Sequence, residues 1–319
     1  MNETKPQNLR WIHSPGERSF SRADQVLKIR LPALSGRIGE ELFRSQRIRV
    51  NSRVVKKGSP VGPGDAVEVE LPGPLQPFPI PEACFKLQIH FRDESLLVVE
   101  KPGSVHTHPL SPFETGALAN VLVSLWPELM GIGTKPLEPG LVHRLDQGTS
   151  GLVVVARNQA VWQQLKKDLA AKGWQKLYHS LVHGLLDRPQ TLKFPLSHDP
   201  SDTRRMKIIT AGEDSGRGKR YRARTEVTPI GTFSGYTLVK VNLVTGVTHQ
   251  IRVHLAHLGH PIVGDRLYGK KEGLSLRLNP NRLFLHASRL SLPHPVTREI
   301  LTVSSDLPED LRVLLSSIP

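Results

Sequence analysis

Gly140-Leu141-Val142-His143-Arg144-Leu145-Asp146-Gln147-Gly148-Thr149-Ser150-Gly151 runs directly into Leu152-Val153-Val154-Val155-Ala156. The second stretch is continuously apolar, which predicts a buried strand. The first sets a carboxylate between an arginine and two small hydroxyl residues. Asp146 is therefore placed in a tight turn at the mouth of a sheet. Taken alone, an Asp near an Arg reads as a structural salt bridge more readily than as a reactive group.

On the C-terminal side, Asn158 is a fitting N-cap for a helix over Gln159–Lys172, with Trp162, Leu165 and Leu169 on its buried face and Gly173 as its stop. Lys176 to Val182 reads as a strand. Tyr236 to Leu243 reads as another, with Thr237, Val239, Val241 and Leu243 on one side. Thr248 to Leu258 carries Ile251, Leu255 and Leu258 on one stripe and ends at Gly259 before Pro261, the marks of a helix. On the N-terminal side, Ile89–Phe91 and Leu96–Glu100 flank a turn at Arg92-Asp93-Glu94. Ala117 to Leu125 is a helix stopped by Pro127.

Further upstream, Pro72-Gly73-Pro74-Leu75-Gln76-Pro77-Phe78-Pro79-Ile80-Pro81 has five prolines in ten residues, which favours a semi-rigid polyproline spacer. This divides the chain into a flexible arm (1–17), a small module (18–71), a linker (72–84) and a large domain (85–319). The module reads as two short helices, a hairpin turning at Asn51-Ser52, and a strand from Ala66 to Leu71. Eight cations fall between Arg30 and Lys57, among them Arg37 and Arg49, and favour a phosphate-contacting surface over a merely solvated face.

Composition narrows the chemistry. Lys and Arg total 43 against 29 acidic residues, a formal charge of +14, which favours a polyanionic partner, nucleic acid above all. Cys84 is the one cysteine, so an internal disulfide and a C-x-x-C metal site are excluded. No apolar run approaches the ~18 residues of a membrane span, and the polar start lacks a secretory core; a cytoplasmic protein is expected. The sequence has no phosphate-binding loop, dinucleotide fingerprint, H-E-x-x-H or G-x-S-x-G, and its histidines lack metal-ligand spacing. Chemistry without metal or cofactor is expected. Three polar groups remain in otherwise apolar settings: Asp146, Tyr178 on its strand, and Arg252 at the edge of the helical stripe. A buried arginine needs a carboxylate, and Asp146 is the candidate, a pairing that would keep it ionised.

His143-Arg144-Leu145-Asp146-x-x-Thr149-Ser150-Gly151 resembles the catalytic motif of the RluA family of RNA pseudouridine synthases, with seven fixed residues in nine positions. Further likenesses follow in family order. They are Lys101-Pro102-Gly103 with His108-Pro109; Lys176-x-Tyr178 with Val182-x-Gly184; Thr245-Gly246 with His249-Gln250-Ile251-Arg252-x-His254; Gly259 to Gly269; and Leu285-His286-Ala287. Residues 18–71 resemble the S-four RNA-binding module, through Leu34-Ser35-Gly36-Arg37, Val50-Asn51 and Gly64-Asp65. The chain departs from the family at Val247, where arginine is usual, and from the module at Ser52 and Gln46.

The resemblance implies an α+β fold, a mixed and mainly antiparallel sheet with flanking helices, joined to a small N-terminal α/β RNA-binding module. It implies isomerisation of uridine in structured RNA without a cofactor, large-subunit ribosomal RNA being the favoured partner, by a monomer. Asp146 would act at the sugar or on a proton beside it, Tyr178 would stack on the base, and Arg252 would pair with Asp146. Arg144 would fill the gap left by the extruded nucleotide. His143, Thr149, His249 and Gln250 would line the RNA, with Arg37 and Arg49 as contacts from the module. Three other readings stay open: a catalytically inactive RNA-binding or ribosome-assembly factor, a tRNA-specific synthase, and a nucleoside or glycoside hydrolase. The hydrolase needs a second carboxylate, for which Asp265 is the one candidate, and Asp265 reads as a turn residue.

Overall fold

Two apolar clusters organise the chain, one of residues between Ala23 and Leu71, the other of residues between Leu96 and Ile318. The computed structural model describes residues 7–14, 21–31, 36–71, 78–111, 113–210, 219–269 and 282–318, with residues 7 and 36–38 described by backbone alone. Residues 1–6, the Pro-rich 72–77 and most of the basic glycine-rich loop at 215–220 lie outside the described residues.

The N-terminal unit runs β1 (Gln7–Ile12), β2 (Ser21–Arg22), α1 (Ala23–Arg30), α2 (Gly36–Arg44), β3 (Ile48–Val50), β4 (Arg53–Val54), β5 (Pro60–Val61) and β6 (Ala66–Leu71). Its sheet has the order β1-β6-β3-β4, and β2 pairs with β5. Val26 and Leu27 of α1 and Leu42 of α2 bury against Ile48, Val67 and Val69. The β3–β4 hairpin turns through Asn51 (φ 49°) and Ser52 (φ 67°), the left-handed pair that a tight right-twisted hairpin needs. One expectation is corrected here. Residues 7–12 are no arm; they pair with β6 from Gln7↔Leu71 to Ile12↔Ala66. Leu9 and Trp11 pack on the core while Asn8, Arg10 and Ile12 are exposed, the period of two that a strand imposes.

The large domain continues with β7 (Gln88–Arg92), β8 (Leu96–Lys101), α3 (Leu118–Leu125), β9 (Ser150–Ala156), α4 (Gln159–Ala170), β10 (Gln175–His183), β11 (Gln190–Leu192), β12 (Leu196–His198) and β13 (Met206–Ile208). It ends with β14 (Thr225–Phe233), β15 (Tyr236–Leu243), α5 (Gln250–His257), β16 (Leu285–Pro293), β17 (Ile300–Ser304) and α6 (Glu309–Ser316). The main sheet has the order β11-β14-β15-β10-β16-β9-β8-β7, with β17 on β16. Its pairs are antiparallel except β9–β16. The fold is the expected mixed, mainly antiparallel α+β arrangement. β9 is buried at every residue, as its unbroken apolar run demands. At its start Gly151 has φ 115°, and a Cβ there would lie 2.3 Å from the Ala287 carbonyl oxygen, so only glycine lets β16 approach this closely. Helix α4 is capped as expected, the Asn158 carboxamide oxygen accepting from Val161 N at 2.9 Å. It ends through left-handed Lys172 (φ 59°) rather than at Gly173. Residues 78–84 form no helix or strand and are tied to α3, where Asn120 donates to the Ile80 carbonyl at 2.8 Å. Among the described residues no helix is long and apolar enough to cross a membrane.

Candidate active site

The Asp146 turn is built from the backbone outward. Val142 N donates to the Val154 carbonyl, and the His143 ring accepts from Val154 N at 3.1 Å, so an imidazole stands in for a strand neighbour along β9. Leu145 is buried, and its N–H and carbonyl are both taken by the Thr107 hydroxyl, at 3.1 and 2.7 Å. Thr149 N then donates to the Asp146 carbonyl at 3.1 Å, closing a four-residue turn. Gly148 is its third residue at φ 89°, the left-handed angle a type II turn requires, and its N–H is held by the Gly103 carbonyl at 2.8 Å. Asp146 is thereby fixed at the rim of a cavity of about 550 Å³.

Tyr178, Arg252 and His249 line the same cavity. Tyr178 is 5% exposed on β10, where the pairing with β16 slips by a residue between Leu177 and Tyr178. Burial, and then the charge of Asp146, push its phenol above the ordinary value, so it stays protonated at neutral pH. Arg252 on α5 brings its Nη1 to 3.5 Å from Asp146 Oδ2. The expected pairing is thus present, and its rank is corrected. Arg252 is bidentate to Asp265, Nε to Oδ2 at 2.8 Å and Nη2 to Oδ1 at 2.9 Å, while Leu267 N and Tyr268 N also donate to Asp265. Planar fork-to-carboxylate geometry makes this the stronger bond. Burial works against both ions, yet their mutual hydrogen bonds and charges keep Asp265 below and Arg252 above their ordinary pKa values. Asp265 is therefore the main anchor of Arg252, beyond the turn role its sequence suggested, and it cannot act as a free second carboxylate.

The other sequence candidates divide. His143 lines the cavity as a neutral ring; burial, then Lys176 and Lys166, bring it down to about 3. Arg144 is exposed at the rim. The Thr149 hydroxyl is buried and has no hydrogen-bond partner among the described residues. His249 turns its Nε2 to 3.8 Å from Asp146 Oδ2. Gln250 is 2% exposed with its carboxamide fully engaged by Thr245, Val247, Thr225 and the Arg224 carbonyl, so it braces the β15–α5 loop rather than offering itself to RNA. Val247 packs with Val253, Tyr268 and Leu196 in a small apolar cluster. Arg49 is exposed on β3, away from the cavity, and the side chain of Arg37 on α2 lies outside the described residues. Among the described residues no group of three His, Cys, Asp or Glu side chains is arranged to hold a metal ion.

Sequence reasoning missed Lys176 as a cavity residue. It is 7% exposed, its ammonium has no ion pair or hydrogen bond among the described residues, and burial lowers it to about 8. The hint was its place two residues before Tyr178, on the same face of β10. Lys101 is buried completely and lowered to about 7 by burial and by Arg282, its amine donating to the Pro102 and Val105 carbonyls, which shapes the loop that holds Gly148.

Residues 95–257, which include Asp146, Tyr178 and Arg252 but not Asp265, match a family model described as RNA pseudouridylate synthase. The chain is also 34% identical over 304 residues, 95% of its length and 92% of the relative's, to an uncharacterized RNA pseudouridine synthase of Chloroflexus aurantiacus. The chain belongs to the RluA family of RNA pseudouridine synthases. As a pseudouridine synthase it is an isomerase acting on RNA. Ribosomal large subunit pseudouridine synthase D of Xanthomonas campestris is 31% identical to this synthase over 326 residues, 99% of this chain and 95% of that one. The chain is similar in structure to human RNA pseudouridylate synthase domain containing 4, at TM-score 0.58 and 25% identity, covering 72% of this chain and 92% of that one.

Proposed function

We propose that this synthase converts uridine to pseudouridine in large-subunit ribosomal RNA, with Asp146 as nucleophile and without a cofactor. One observation carries the chemical part: a carboxylate, a protonated phenol and a buried guanidinium converge on one cavity, with Arg252 3.5 Å from Asp146. The target uridine must leave its stack to enter, at a cost of a few kcal/mol. Arg144, exposed where it lines the cavity, occupies the vacated space in this reading. Asp146 attacks the sugar, or removes a proton beside it, as the N1–C1′ bond breaks. The uracil turns about the face of Tyr178; C5 bonds to C1′ as the Asp146–C1′ bond of the first route breaks, or as the abstracted proton returns to the sugar in the second; the C5 proton is lost and N1 ends protonated. Atoms balance within the nucleotide, so no co-reactant is needed.

The ribosomal target draws support from the relatives called ribosomal large subunit pseudouridine synthase D, two of them matched over nearly the whole chain. The N-terminal unit acts as an RNA clamp of the S-four kind, and the enzyme works as a monomer in the cytoplasm. The test is to incubate wild type, Asp146→Ala and Asp146→Asn with unmodified ribosomal RNA and, separately, tRNA, and then map pseudouridine. Wild type forms it at discrete ribosomal sites and the variants form none. Modification of tRNA alone would replace the ribosomal target, and full activity of Asp146→Asn would remove the nucleophile.

A further inference from the structure

His249 sits at the start of α5 in a left-handed conformation (φ 55°), uncommon for a residue with a side chain and a sign that the surroundings dictate where its ring points. The surroundings are specific. The Tyr268 hydroxyl, on a residue 9% exposed, lies 2.9 Å from His249 Nδ1 and accepts from Met206 N at 2.8 Å. Arg252 and Arg205 hold the Tyr268 ring in place, their guanidinium carbons 5.1 and 5.2 Å from its centroid.

Donor accounting favours one place for the proton. A phenol has one hydrogen. The Met206 N–H already points at the oxygen, so that hydrogen is free to go to His249 Nδ1. Burial lowers the basicity of His249, against the opposing charge of Asp146, so the ring is neutral at neutral pH and Nδ1 can accept. A neutral ring that accepts at Nδ1 carries its proton on Nε2, and Nε2 faces Asp146 Oδ2 at 3.8 Å. Arg252 Nη1 approaches the same oxygen at 3.5 Å. Both distances exceed a hydrogen bond, yet a guanidinium and an N–H dipole close to one oxygen bias the orientation of the carboxylate electrostatically.

We propose that Tyr268 is a positioning residue: its hydroxyl fixes His249 as the Nε2–H tautomer, so that His249 and Arg252 together hold Oδ2 of Asp146 and leave Oδ1 as the reacting oxygen. The inference rests on the reading of Asp146 as nucleophile. It also makes the seating of the β12–β13 hairpin, through Met206, and the orientation of Asp146 depend on one hydroxyl.

The test uses the full-length protein labelled with 15N-histidine, the His249 signals being assigned by their loss in His249→Ala. Wild type at pH 7.5 shows Nδ1 unprotonated and Nε2 bearing hydrogen, and Tyr268→Phe moves the Nδ1 resonance. A protonated Nδ1 in wild type overturns the proposal without any measurement of turnover. In kinetics, Tyr268→Phe lowers kcat about tenfold at unchanged KM, the effect of one hydrogen bond. The pair Tyr268→Phe/His249→Ala loses no more than His249→Ala alone, because Tyr268 acts through His249. Losses that multiply instead would assign Tyr268 a merely structural role. The pH–rate profile of Tyr268→Phe also shifts on its acid limb, since His249 loses the donor that occupies Nδ1 and then titrates under burial and the charges of Asp146, Arg252, Asp265 and Arg144. An inactive wild type would sink the nucleophile reading while leaving the tautomer to the NMR pattern.

Discussion

Asp265→Asn separates the two carboxylates that share Arg252. The substitution keeps the shape and an acceptor for Leu267 N and Tyr268 N, but removes the charge opposite Nε and Nη2. The Asp265 side chain is fully buried and that of Arg252 is 9% exposed. Removing one partner of such a pair leaves a buried charge uncompensated, which costs about 3–5 kcal/mol. For a domain of this size that lowers Tm by about 6–20 °C. Asp146 cannot take over, because it meets Arg252 through Nη1 at 3.5 Å and its side chain is 19% exposed. Its own share resembles that of a surface pair, about 1 kcal/mol or less. Asp146→Asn should therefore lower Tm by no more than about 2–4 °C and abolish pseudouridine formation. Thermal unfolding of both variants, followed by calorimetry beside a pseudouridine assay, reads the contrast. The sign with pH follows from Asp265 lying below its ordinary 3.8. Its contribution is complete above the unfolded value and is lost as pH falls through the lower folded one, so wild type and Asp265→Asn converge in stability in strong acid. Equal losses of Tm in Asp146→Asn and Asp265→Asn would refute the ranking, as would Asp265→Asn melting with wild type.

Three other outcomes are expected. Gly151→Ala should cost about 4 kcal/mol or more, because its Cβ would lie 2.3 Å from Ala287 O and 2.6 Å from Ala287 N at φ 115°, and β9 would have to leave β16; soluble yield and Tm report it. Lys176 is charged below about 8 and neutral above it. If its ammonium meets an RNA phosphate, affinity measured by fluorescence anisotropy falls as pH rises through that value, whereas Lys176→Met binds about tenfold more weakly at pH 7 and is flat with pH. Removing residues 1–71, the boundary that pairing of β1 with β6 requires, should weaken RNA binding and flatten its salt dependence, and an unchanged slope in a salt titration would mean that the unit contacts no phosphate.

The sequence was most informative where function needs one particular backbone geometry. The tight turn at Asp146 was legible, and the run from Leu152 to Ala156 marked a strand buried on both faces; the close approach at Gly151 was not foreseen. The Asn158 cap and the Asn51-Ser52 hairpin were legible for the same reason, since a local rule fixes each. Strands whose residues run against local propensity were not. β14 contains Pro229 and Gly231, which argue against a strand by propensity, and its register against β15 slips at that point to accommodate them. β16 lies between β10 and β9 in the main sheet, yet from the sequence only Leu285-His286-Ala287 stood out, as a motif rather than as a strand.

Partner choice was the least legible property of the site. Arg252 had two carboxylates to choose from, both in recognisable motifs, and periodicity along α5 cannot measure distance across the fold. Asp265 is closer because two successive backbone N–H groups, of Leu267 and Tyr268, hold one of its oxygens and leave the other aimed at Nε. Those turn hydrogen bonds are what made Asp265 read as a turn residue. They are also what makes it a rigid anchor. The arginine is bound firmly at one end of its fork, and its remaining nitrogen is left 3.5 Å from Asp146, too far to immobilise it. A nucleophile needs that division, for an aspartate held as tightly as Asp265 would have no oxygen free to react.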